Sequence, residues 1–172
     1  MLILGIDPGT ATTGYGLIKV NSKEDYEVIE WGLIETDKNG TPGIRLSKIF
    51  NQLSDIFKKH SPDVMAIEKL FFARNAKTAI RVGQAQGVML HCAAHYKTET
   101  AEYAPGTIKK VVAGNGRAGK KQIQKFIRKM LGAGVRSKPG KKTHFDNAAD
   151  ALAVAICHAY TVEKGKKVGK RG

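Results

Sequence analysis

Four carboxylates stand where a metal-dependent phosphodiester chemistry needs them. Asp7 closes the opening apolar run MLILGI, and Glu68 closes a second, DVMAI. Asp146 and Asp150 frame the DNAAD start of a late apolar stretch. An acid at the exit of a buried strand is costly without a partner. Two such acids on adjoining strands repel unless a cation lies between them. Carboxylate oxygens suit hard divalent ions, so Mg²⁺ is expected, with Mn²⁺ able to substitute. Three or four such ligands can hold two ions, one to activate a water and one to stabilise the leaving oxygen of a phosphodiester.

Each acid also has a plainer reading. Asp7 precedes Pro8-Gly9 and suits a turn, and Asp146 suits a helix N-cap. Glu68 after four apolar residues, and Asp150 one turn into the apolar stretch AADALAVAI, are harder to explain by structure alone. Asn147 and Asp146 lie three and four residues before Asp150, so either can share its helix face. His91 and His95 have a zinc-like i, i+4 spacing, but no further ligand pattern accompanies them.

The charge around these acids has the opposite sign. The chain carries a net charge of +14 over 172 residues. Residues 1–108 hold 12 basic and 12 acidic residues, whereas residues 109–172 hold 17 basic and 3 acidic. A one-sided basic field is the footprint of a polyanion-binding surface. Over 109–142 the basic residues are interleaved with Ile, Val, Phe and Leu and belong to folded structure. The segment EKGKKVGKRG at 163–172 reads as a short, disordered basic tail.

The elements that must position the acids follow from periodicity. Strands are predicted at 2–6, 14–20, 26–35, 64–67 and 100–103, the first three as an antiparallel meander. Helices are predicted at about 42–60, 75–96, 105–112 and 119–131. In the first of these Ile44, Leu46, Ile49, Leu53, Ile56 and Phe57 fall at helical spacing. LGAGVRSKPGKKTHF at 131–145 reads as a basic Gly/Pro-rich loop, and a last helix begins near Asp146 or Asn147 and runs to about 163. This is an α/β domain over 1–162, a five-stranded mixed sheet flanked by helices. Cys92 and Cys157 read as small buried hydrophobes in a reducing compartment. With no secretory signal and no apolar run of membrane length, a cytoplasmic protein without a membrane partner is expected.

GIDPGT…TGYG at 5–16, AIEKLFFARNAKTAIRVGQAQG at 66–87 and DNAADALAVAICH at 146–158 closely resemble the RuvC-type Holliday junction resolvases, in order and spacing over about 1–162. The resemblance implies an RNase H-like fold and a homodimer. It implies Mg²⁺-dependent, symmetric nicking of a DNA four-way junction in recombination and repair, and a branch-migration helicase complex of the RuvA/RuvB type as partner. Asp7, Glu68 and Asp150 match three of the family's four metal-binding, catalytic positions. The fourth is usually Asp, or His in some members, and here it is Asn147, with Asp146 and His144 as neighbours able to stand in. Phe71 matches an aromatic that sits against bases at the opened junction. Lys109 and Lys120, with Lys121 beside it, match phosphate-contacting positions, and Arg74, Lys77 and Arg81 are further DNA-binding candidates. Gly83, Gly87 and Ala79 form a small-residue stripe that suits a two-fold dimer contact. The neutral Asn147 leaves a second hypothesis, a junction-binding protein that cuts poorly or not at all. A third, a phosphotransferase of the actin and sugar-kinase class suggested by GIDPGT, lacks a second phosphate loop and a duplicated domain.

Overall fold

The structure, a computed structural model, describes residues 1–22, 25–70, 76–132 and 142–168, the last of these with side chains over 147–163. Five strands form one mixed sheet in the order β3-β2-β1-β4-β5. β1 (Leu2–Asp7), β2 (Thr12–Ser22) and β3 (Asp25–Glu35) make the predicted antiparallel meander, with register shifts in the β2–β3 pairing that add twist. β4 (Val64–Glu68) and β5 (Glu99–Tyr103) run parallel to β1, each reached through a helix. That change of direction follows from the connections. A tight turn reverses a strand, while a helical crossover returns the chain parallel to its start.

Alternation sorts the strand side chains onto two faces. Leu4, Ile6, Met65 and Ile67 are fully buried against α1 (Pro42–His60) and α2 (Ala76–His95). Ile3, Val64 and Ala66 face the other way, into a core shared with α3 (Pro105–Ala113), α4 (Lys120–Leu131) and α5 (Lys142–Val168). α1 starts where Thr41 accepts a hydrogen bond from the Ile44 N–H at 3.4 Å and Pro42 presets the first turn. It stops at Ser61, in the left-handed region at φ 46°, whose N–H donates to Phe57 O at 2.8 Å. Glu30 of β3 fastens the end of this helix to the sheet. Its carboxylate accepts from Lys59 Nζ at 2.6 Å and from Tyr15 Oη at 3.0 Å, and lies 2.9 Å from His60 Nε2. Burial pushes the Glu30 carboxyl up, but bonds from Lys59, His60 and Tyr15 outweigh it and bring it down to about 2.

Two sequence expectations need correction. Ile44 is counted with the buried stripe of α1 but is 65% exposed, because the stripe drifts off the sheet in the first turn. α5 begins at Lys142 rather than near Asp146 and runs to Val168 rather than about 163, so Lys142 to Phe145 are helical, Asp146 lies inside the helix instead of capping it, and the helix extends into the segment read as a disordered tail. The Lys/Gly/Pro composition upstream obscures that first turn. Residues 133–141, the rest of the expected basic loop, lie outside the described residues.

α5 rests directly on β1 and β2. Ala148, Ala149, Ala151, Leu152, Val154, Ala155 and Ile156 are fully buried, and Ala153 nearly so. Glycines on the strands make room for this approach. A Cβ at Gly14 would run into the Asn147 carbonyl, and one at Gly16 would sit 2.6 Å from Leu152 carbons. At the far side of the helix Tyr103 Oη and His158 Nδ1 are 2.8 Å apart and tie α5 to β5. Among the described residues no helix is long and apolar enough to cross a membrane.

Candidate active site

The two-residue period of the strands decides where the acids go. Asp7 shares its side of β1 with Ile3 and Gly5, and Glu68 shares its side of β4 with Val64 and Ala66. Both therefore project onto the α5 face. β1 and β4 pair in register up to Ile6 opposite Ile67, so Asp7 and Glu68 follow side by side as the strands leave the sheet. α5 then lays Asp150 over the same spot, one residue before the alanine that packs on Gly5.

The three acids line one cavity of about 270 Å³ with Lys109, Lys120, Pro105, Ile108, Ile123 and Ala153. All three carboxylates are half-buried. Burial raises the Asp7 carboxyl, the charges of Glu68 and Asp150 raise it further, and Lys120 opposes them, leaving it at about 7. Glu68 is raised by burial and then by Asp150, against Lys109. Mutual repulsion of this kind shows that the acids converge, and a cation would relieve it. Among the described residues no three Asp, Glu, His or Cys side chains already stand in a metal-holding arrangement. The donor set nonetheless fits a hard divalent ion in number, charge and chemistry. Part of the gap is filled by Lys120, whose Nζ lies 3.1 Å from Asp150 Oδ2.

Lys120 also donates a long bond, 3.4 Å, to Asn147 Oδ1. Asn147 is thus at the rim of the cavity, half-buried, with its carbonyl oxygen toward the lysine. Lys120 and Lys121 occupy the first turn of α4, which carries no acid of its own and where the helix dipole disfavours cations. Lys121 is exposed and does not line the cavity, and Lys77 is exposed in the first turn of α2. Phe71 and Arg74 lie outside the described residues, as do the side chains of His144 and Asp146. Arg81 lines a separate cleft with Lys38 and Arg45. His91 and His95 are accounted for by packing: their rings lie 6.0 and 6.2 Å from the Phe50 ring.

Sequence reading misses the apolar walls. Pro105, Ile108 and Ile123 enclose the acids from α3 and α4. The visible signal is the helix start at Pro105, which sets Ile108 and Lys109 one turn further on, toward α5. Nothing in the spacing foretells that Lys120 meets Asp150.

A five-stranded sheet with acids leaving its two central strands, and a third brought by a helix crossing that face, defines an RNase H-like nuclease. A family model described as "Crossover junction endodeoxyribonuclease RuvC" matches residues 3–158. The chain belongs to that family, whose members are metal-dependent nucleases. Relatives named crossover junction endodeoxyribonuclease RuvC include that of Caldicellulosiruptor saccharolyticus, 43% identical over 92% of both chains. Another, from Halothermothrix orenii, is 42% identical over the full length of both. Among solved structures, Thermus thermophilus RuvC in complex with a Holliday junction substrate superposes with a TM-score of 0.85 at 28% identity, covering 96% of each chain. The yeast mitochondrial Holliday junction resolvase Ydc2 shares the fold, with a TM-score of 0.65 at 18% identity over 90% of this chain and 76% of the other.

Proposed function

We propose that this chain is a structure-selective endonuclease that resolves DNA four-way junctions, in recombination and repair, by symmetric nicking. The observation that carries this is the meeting of Asp7, Glu68 and Asp150, from three separate elements, in one cavity walled by Lys109 and Lys120. The relatives' names support the cutting reading over a junction-binding protein that does not cut.

Asp7, Glu68 and Asp150 would hold Mg²⁺, as two ions, with Asn147 lending a neutral oxygen; Asp146 is the other candidate for the fourth position, and Mn²⁺ would substitute. Bound divalent metal supplies polarisation of the phosphodiester and a more acidic attacking water. Lys109 and Lys120 bind the phosphates flanking the scissile bond and fix the strand against the acids. Pro105, Ile108 and Ile123 exclude bulk water from one side of the cavity, which strengthens the charge interactions within it. Phe71 stacks on a base at the opened junction, and Arg74, Lys77 and Lys121 add phosphate contacts.

Two strands must be cut together, which requires a two-fold dimer. The α2 surface supports it: Ile80 is 63% exposed, and Gly87 has open space around it within the chain. A branch-migration helicase of the RuvA/RuvB type is the expected partner in the cytoplasm.

The test is a nicking assay on a labelled four-way junction with Mg²⁺ and then Mn²⁺. Asp7→Asn, Glu68→Gln and Asp150→Asn should each lower cleavage by about a thousandfold or more while junction binding persists. Full nicking by any one of them would remove that residue from the site.

A further inference from the structure

Lys120 touches two of the candidate ligands that α5 contributes. Its Nζ is 3.1 Å from Asp150 Oδ2 and 3.4 Å from Asn147 Oδ1. It stands in the cavity with Asp7 and Glu68, where its positive charge opposes the burial and repulsion that raise the Asp7 carboxyl. An ammonium and a divalent ion cannot share one carboxylate oxygen at such distances without strong repulsion. The pair is also easily exchanged, since the lysine side chain is 49% exposed and the aspartate 28%. Asn147 contributes to this looseness. A carboxylate at 147 would grip the ammonium with a second charge, whereas a carboxamide offers only a dipole.

We propose that Lys120 is an internal cation of the DNA-free site: it occupies the Asp150–Asn147 side of the cavity in place of a divalent ion, and a DNA phosphate draws it away. Ion loading is then coupled to substrate binding. This rests on the reading of the three acids as metal ligands. Lys120 is in this respect a positioning residue, acting through Asp150. The coupling is reciprocal: whatever factor DNA gains from the bound ion, the ion gains from DNA. A lysine that only contacts phosphate would have no influence on ion binding without DNA, so the two roles separate cleanly.

The experiment titrates the DNA-free full-length protein with Mn²⁺ and follows free aquo-ion by electron paramagnetic resonance. Lys120→Met should bind Mn²⁺ roughly three- to tenfold more tightly than wild type, the scale expected for one screened charge acting on a divalent ion. Lys120→Arg, which keeps the charge, should remain weak, and Lys121→Met should match wild type. With an uncut four-way junction and Ca²⁺ as the ion, followed by titration calorimetry because Ca²⁺ is diamagnetic, the difference in ion affinity between wild type and Lys120→Met should narrow. Unchanged or weaker Mn²⁺ binding in a folded Lys120→Met protein overturns the proposal, as does Lys120→Arg binding as tightly as Lys120→Met. Failure of any of these proteins to bind an ion, with or without junction, would instead bring down the reading of the acids and this inference with it.

Discussion

Gly5 lies directly beneath Ala151: a Cβ on the glycine would run into the alanine's carbonyl oxygen and come within 2.8 Å of the Ala155 amide nitrogen. Backbone meets backbone here, so nothing nearby can rotate away. Because Asp150 is the residue before Ala151, the contact that holds the helix down also sets the height of the third acid above the sheet. Gly5→Ala should cost about 3 kcal/mol or more, as overpacking against a rigid neighbour. It should also cut nicking more steeply than junction binding. Thermal denaturation beside the nicking assay checks both, and a near-native melting temperature would show that α5 can lift without penalty.

Asp7 should make the metal-free protein less stable as pH rises. Its carboxyl stands at about 7 in the fold against 3.8 ordinarily. Between about pH 4 and 7 the folded chain therefore keeps a proton that the unfolded chain gives up, and stability falls through that window. The penalty is absent below about pH 4 and complete above about pH 7. Asp7→Asn removes it. In EDTA at pH 8 that variant should be the more stable protein, by on the order of 2 kcal/mol once solvent screening is allowed for, while at pH 4 the two should converge. Melting curves at both pH values decide, and a less stable Asp7→Asn at pH 8 contradicts the prediction.

Asn147→Asp should lower the Mg²⁺ requirement. The added charge would stand at the cavity rim, where Asn147 Oδ1 now faces Lys120. Cleavage of a saturating junction, followed across Mg²⁺ concentrations, should reach half-maximum at a concentration roughly threefold lower or less. An unchanged midpoint would mean that position 147 does not act on the ion.

Junction binding should weaken steeply with salt, because phosphate contacts release counterions. Contact with four or more phosphates gives a log–log slope of about −4 or steeper between roughly 50 and 200 mM salt. Lys109→Ala and Lys120→Ala should each make the slope shallower by about one. A flat response would detach the basic face from DNA altogether.

The sheet was legible because its strands are short, apolar and bounded by turn residues. Asp7 and Glu68 were legible as a pair for the same reason: an acid that ends a buried run adds nothing to the core and costs desolvation, so chemistry is the natural reason for its presence. Asp150 needed its helix, and the apolar residues around it announced one. The start of that helix was hidden, since it opens on Lys142 directly after a basic Gly/Pro-rich segment. Least legible was Lys120. Its distance of 27 and 30 residues from Asn147 and Asp150 encodes nothing, and only the packing of α4 against α5 brings the ammonium to the acids.

The acids are spread along the chain at 7, 68 and 150, and the last arrives on α5, the final element. A ribosome therefore releases the sheet-forming strands, Lys109 and Lys120 well before it releases the third carboxylate. During synthesis the growing chain has a basic surface without a finished cutting centre. A product ending before residue 146 stays in that state permanently. It lacks the helix that covers one face of the sheet as well as the acid, so that apolar face is left uncovered, the kind of surface on which proteases and chaperones act.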